Sequence, residues 1–100
     1  MIKHIVAWKF KDEAEGHTKE ENMAIVKKRL EKLVGVVPEI ISLEIGKDIL
    51  HSDMSFDMAL IGVYEDMEAL DRYKNHPEHK KISAFVKSVR LDRVAVDFEF

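Results

Sequence analysis

The segment Ile2 to Phe10 is rich in β-branched and aromatic residues, has no Gly or Pro, and is apolar on both faces of a strand. His4, Val6, Trp8 and Phe10 share one face, and Ile5 and Ala7 share the other. A strand of that kind is covered on both sides. Met58 to Tyr64 repeats the pattern, with Met58, Leu60, Gly62 and Tyr64 against Ala59, Ile61 and Val63. Arg93 to Phe100 alternates strictly, with Val94, Val96, Phe98 and Phe100 on one side and Arg93, Ala95, Asp97 and Glu99 on the other. A further strand is expected over Ile40 to Leu50, broken near Gly46-Lys47-Asp48.

Helical signals fall between these strands. After a polar loop over Lys11 to His17, Thr18 and Glu21 form a capping box. Met23, Val26, Leu30 and Leu33 then recur at helical spacing, and Gly35 and Pro38 end the helix after about Val34. Asp66 caps a second helix through Met67, Leu70 and Tyr73. Pro77 interrupts it near His76 and opens another helical piece carrying Ile82, Phe85, Val86 and Val89.

The order β-α-β-β-α-β, joined by right-handed crossovers, gives a ferredoxin-like α+β fold over residues 1–100, with a four-stranded antiparallel sheet and its helices on one face. The uncovered face keeps Ile61, Val63, Val94, Val96 and Phe98, too large an apolar patch to leave in water. Pairing with a second copy is the simplest cover, so a homodimer through the sheet face is expected.

Composition removes several function classes. There is no cysteine, hence no thiol catalysis, CxxC redox chemistry or thiolate metal site. The net charge is −3, and the densest basic run, Lys27-Lys28-Arg29, lies on a predicted helix, which argues against nucleic-acid and membrane-surface partners. The N-terminal segment has no apolar run long enough for a signal peptide or a membrane span, so a cytoplasmic setting is expected. An RNA-recognition motif is excluded because Asp57 to Tyr64 lacks its stacking aromatics. A ferredoxin-like metal chaperone is excluded by the missing CxxC.

The chain resembles the stress-responsive A/B barrel (Dabb) domain family along essentially its whole length. The segments carrying the resemblance are Ile2-Lys3-His4-Ile5-Val6 running into Lys9-Phe10-Lys11-Asp12, then Gly46-Lys47-Asp48, Tyr73-Lys74-Asn75-His76-Pro77-Glu78-His79 and Val96-Asp97-Phe98. The resemblance implies a dimeric α/β barrel. In it His4, Val6, Trp8, Met58 and Leu60 face the helices and line a cavity, while Ile5, Ala7, Ala59, Ile61, Val94 and Val96 face the other subunit. Most members have no assigned activity.

More distantly, the chain is similar to polyketide cyclases of the olivetolic acid cyclase kind, which work without cofactor. That similarity implies a catalytic pair, Tyr73 and His79, with His4 as a second histidine and Met58 where the cyclases place a further one. A neutral imidazole takes a proton from a carbon beside a carbonyl, and a phenol donates to the developing enolate oxygen. The bend at Pro77 places Tyr73 and His79 to reach one cavity, with Phe85 among its walls and His76 as a further ligand contact.

Plainer readings stand beside this one. Tyr73 fits a core position, His76 fits a cap of the next helix, and His79 fits a hydrogen bond to backbone at a helix start. Convergence of His4, His76, Glu78 and His79 on a metal has weak spacing, so no metal and no cofactor are expected. The expected ligand is a small apolar or carbonyl-containing molecule. The rival is a non-enzymatic dimeric scaffold, and a cavity of roughly 300 Å³ or more separates the two.

Overall fold

The computed structural model describes residues 1–100. The chain runs β1 (Ile2–Phe10), β2 (Glu13–Ala14), β3 (His17–Thr18), α1 (Lys19–Glu31), β4 (Ser42–Lys47), β5 (Met58–Tyr64), α2 (Met67–Asn75), α3 (Pro77–Val89) and β6 (Arg90–Glu99). Strands β4, β5, β1 and β6 lie in that order in one antiparallel sheet, a ferredoxin-like arrangement.

The local chemistry explains most boundaries. The Thr18 side chain accepts from the Glu21 N–H, and the Glu21 carboxylate accepts from the Thr18 N–H, closing the capping box that starts α1. The expected polar loop before it holds a small hairpin, β2–β3. Glu15 and Gly16 both turn through positive φ (53° and 76°), which matches a two-residue hairpin turn. Strand β4 is shorter than the expected Ile40–Leu50 segment. Beyond Lys47 only the Asp48 N–H reaches across, to the Asp57 carbonyl, and Ile49 and Leu50 lie outside the sheet. Strand β6 starts three residues earlier than its alternation suggested. Arg90 caps α3 in an extended conformation (φ −88°, ψ 149°), so the helix passes directly into the strand.

The register fixes what each face carries. Val6 pairs with Leu60, Trp8 with Met58 and His4 with Gly62, and all six are buried beneath the helices. The enclosed residues form one core cluster, from Ile2 and Phe10 of the sheet to Val26 of α1 and Val89 of α3. The helices stop short of β6. On the inner side, Arg93, Ala95 and Asp97 stand exposed opposite Trp8, Val6 and His4. The outer side carries Ile5, Ala7, Ala59, Ile61 and Val63 half-buried, and Val94, Val96 and Phe98 at 49%, 61% and 42% exposure. No helix is long and apolar enough to cross a membrane.

Candidate functional site

A cavity of about 560 Å³ opens between the inner face of the sheet and α3, on the side where β6 is left uncovered. Val6, Trp8 and Leu60 form its sheet wall, and Leu30, Ile82 and Val86 form its helix wall. His4, Tyr73 and His79 border it together, beside a rim of Lys74, Lys80, Lys87, Arg90 and Arg93.

The position of His79 follows from Pro77. The residue before a proline avoids helical geometry, and His76 is extended at φ −63°, ψ 134°. Pro77 has no N–H to lose and sits at the first position of α3. The Glu78 N–H, which a continuous helix would have given to the Lys74 carbonyl, goes instead to His76 Nδ1 at 3.1 Å. The freed Lys74 carbonyl accepts from His79 Nδ1, also at 3.1 Å. A carbonyl only accepts, so this ring nitrogen carries the proton and Nε2 is left bare.

His4 is held in the same way from the sheet. Its cross-strand partner on β6 is Asp97, and His4 Nδ1 donates to the Asp97 carboxylate. A carboxylate behind an imidazole fixes the tautomer and leaves Nε2 unprotonated. Between the two histidines lies an aromatic series. The His4 and Tyr64 rings are 6.4 Å apart, Tyr64 and Tyr73 are 5.0 Å apart, and Tyr73 and His79 are 4.4 Å apart.

Glycine at position 62 makes room for this series. A Cβ there would stand 2.8 Å from the Tyr64 hydroxyl, so the phenol folds back over a strand position that must lack a side chain. That hydroxyl is buried and has no hydrogen-bond partner. The Tyr64 and Tyr73 phenols still interact across their 5.0 Å ring separation, outside regular hydrogen-bond geometry.

Burial sets the protonation states. It pulls the His4 imidazole below the ordinary histidine value of 6.5, against the opposing pull of Asp97. It does the same to His79, where the bond to the Lys74 carbonyl opposes the shift and the Lys74 and Arg93 charges, with repulsion from His4 when that ring is protonated, add to it. The Tyr73 and Tyr64 phenols are pushed up by burial and stay protonated. The cavity is therefore bordered at neutral pH by two neutral imidazoles and a phenol able to donate.

Six of the expected residues (Tyr73, His79, His4, Val6, Trp8 and Leu60) border this one cavity. Three lie outside it. Met58 pairs with Trp8 and is enclosed in the core at 1% exposure. His76 is spent on capping α3. Phe85 sits on the flank of α3, half-buried, with the Arg29 guanidinium 4.7 Å from its ring centre. His76 and His79 turn to different backbone groups, and no group of three or more metal-ligating side chains converges.

Asp97 and the basic rim went unrecognised in the sequence. Asp97 sits on the polar side of a strict alternation, and only the β1–β6 register places it against His4. The rim had a signal, since Lys80 and Lys87 lie two helical turns apart on α3.

No curated protein matches the chain. Solved structures do. One is a dimeric protein of unknown function and ferredoxin-like fold from Bacteroides fragilis, with 26% identity over 99% of this chain and 95% of that one and a TM-score of 0.84. Another is a dimeric ferredoxin-like protein of unknown function from Thermobifida fusca, with 25% identity over 99% and 90% and a TM-score of 0.84. The hydroxynitrile lyase of Passiflora edulis shares the fold at 13% identity, over 97% and 90%, with a TM-score of 0.81. The family model described as Stress Responsive A/B Barrel Domain (Dabb) matches residues 2–100, and so this chain belongs to that family.

Proposed function

We propose that this protein is a homodimer that binds a small, mostly apolar molecule in the cavity between sheet and helices. In this reading Tyr73 and His79 carry out acid/base chemistry on a carbonyl compound without a cofactor. The observation that carries it is the meeting of Tyr73, His79 and His4 at one cavity of about 560 Å³. That volume lies within the range of small-molecule sites, whereas a pure scaffold would fill the space between sheet and helices.

The chemistry follows from the protonation states. Bare Nε2 of His79 takes a proton from a carbon next to a carbonyl. The Tyr73 hydroxyl donates a hydrogen bond to the oxygen that gains charge. The imidazolium then returns its proton to the product. His4, backed by Asp97, is a second neutral imidazole at the same cavity.

The dimer reading rests on the outer sheet face, with Val94, Val96 and Phe98 uncovered in one protomer. The related proteins from Bacteroides fragilis and Thermobifida fusca are dimeric. A cytoplasmic setting fits a chain without cysteine, and the net charge of −3 fits a protein without nucleic-acid or membrane partners.

The test is proton exchange in deuterated water at the activated carbon of a β-dicarbonyl probe, followed by NMR. Wild-type protein should accelerate exchange. His79→Ala should lower the acceleration by roughly 10²-fold and Tyr73→Phe by about tenfold or more, both with an intact fold. Wild-type exchange no faster than the buffer rate would refute the acid/base reading.

A further inference from the structure

The cavity is chemically asymmetric, with an apolar wall and a cationic rim. Five side chains at its rim are cationic: Lys74, Lys80, Lys87, Arg90 and Arg93. None of the lining residues is an aspartate or glutamate, in a chain with 19 acidic and 16 basic residues. None of the five cations is ion-paired. The chain's seven ion pairs use Lys19, Lys47, Arg72, Lys81 and two histidines. Asp97, behind His4, is engaged by that ring.

The fold builds this rim from separate elements. Lys80 and Lys87 stand on one line along α3, with Ser83 and Ala84 between them, beside the stripe that buries Ile82, Val86 and Val89. Lys74 comes from the last turn of α2 and Arg90 from the junction of α3 and β6. Arg93 comes from the inner side of β6, opposite Trp8. The charge reaches inward, since Lys74 and Arg93 both act against protonation of His4 and His79.

Unpaired cations around an apolar wall are complementary to a molecule with an apolar body and an anionic end. Arginine in particular presents a planar fork that fits carboxylate or phosphate oxygens. We propose that the ligand is an amphipathic anion. Its apolar body lies against Val6, Trp8 and Leu60, and its carboxylate or phosphate head is held at the mouth by Arg90 and Arg93 with the lysines. This rests on the cavity reading above and narrows it from an apolar ligand to an acidic one.

Calorimetric titration of the wild-type protein with decanoate, decyl phosphate and 1-decanol tests this. These probes share an apolar tail and differ in the head. At least one of the two anions should bind roughly tenfold or more tightly than the alcohol, and which one does so identifies the head group. That preference should shrink as salt is raised from low to high concentration, while alcohol binding stays unchanged. Arg90→Gln/Arg93→Gln should bring the preferred anion close to the alcohol, with folding checked by circular dichroism. The salt series on wild-type protein decides the matter if the variant misfolds. Equal binding of all three probes would overturn the anionic assignment and leave the cavity reading standing. Binding of none would overturn both.

Discussion

Tyr64 shows what a single residue does at this site. Its hydroxyl is buried without a partner, an arrangement that costs about 1–3 kcal/mol where no other interaction offsets it. Tyr64→Phe removes the orphaned oxygen and keeps the ring, so denaturant unfolding should show stability unchanged or raised by about 1 kcal/mol. Gly62→Ala should do the opposite. The added methyl would stand 2.8 Å from the same oxygen and push the ring off its place between His4 and Tyr73. A loss of about 1–3 kcal/mol is expected from overpacking. A stabilising Gly62→Ala would show that the phenol does not occupy this position.

The break between α2 and α3 decides which histidine serves the site. The tetrapeptide His76-Pro77-Glu78-His79 made both rings candidates, because sequence alone does not say which backbone groups the proline leaves unpaired. Once Pro77 excludes the regular bond, His76 caps α3 and His79 takes the Lys74 carbonyl. His76→Ala should therefore destabilise the fold by on the order of 1 kcal/mol in denaturant unfolding, and His76→Asn should restore most of it. Neither should change proton exchange by the cavity. A collapse of exchange in His76→Ala at full stability would place that ring in the chemistry.

Local sequence patterns account for much of this element structure. β1, β5, the capping box and the two helical pieces around Pro77 follow from local patterns, and the structure has them. The hairpin at Glu15-Gly16 was hidden because a glutamate occupies a left-handed position that composition assigns to Gly or Asn. Asp97 was hidden because its meaning is non-local, 93 residues from His4 in sequence. Met58 was expected at the cavity from the family resemblance, and Phe85 from the bend at Pro77. A face says which layer a side chain enters, not whether neighbours close over it.

At the scale of the whole molecule, the two sides of the sheet have separate tasks. The inner side holds the core and the cavity, and the outer side presents Val94, Val96 and Phe98. Light scattering at micromolar concentration should give twice the 11.6 kDa mass of one chain. Val96→Asp places a charge in the middle of the proposed contact, where an unpaired carboxylate is costly to bury, and should give a monomer of lower stability. A wild-type protein that stays monomeric and stable would remove the dimer from the account.

The proposed chemistry depends on His79 as a neutral base with its proton on Nδ1. Imidazole ¹H–¹⁵N correlation spectra across a pH titration read both properties at once. At pH 7 the His79 ring should show a protonated Nδ1 and a bare Nε2, with a midpoint below the ordinary 6.5. The sign of the accompanying stability change is fixed. The unfolded chain takes up the proton first, so this contribution to stability is complete above about 6.5 and is lost as pH falls through the lowered folded-state value. Proton exchange by the cavity should fall over the same range. An imidazolium at pH 7, or a proton on Nε2, would contradict the assignment of His79 as the base.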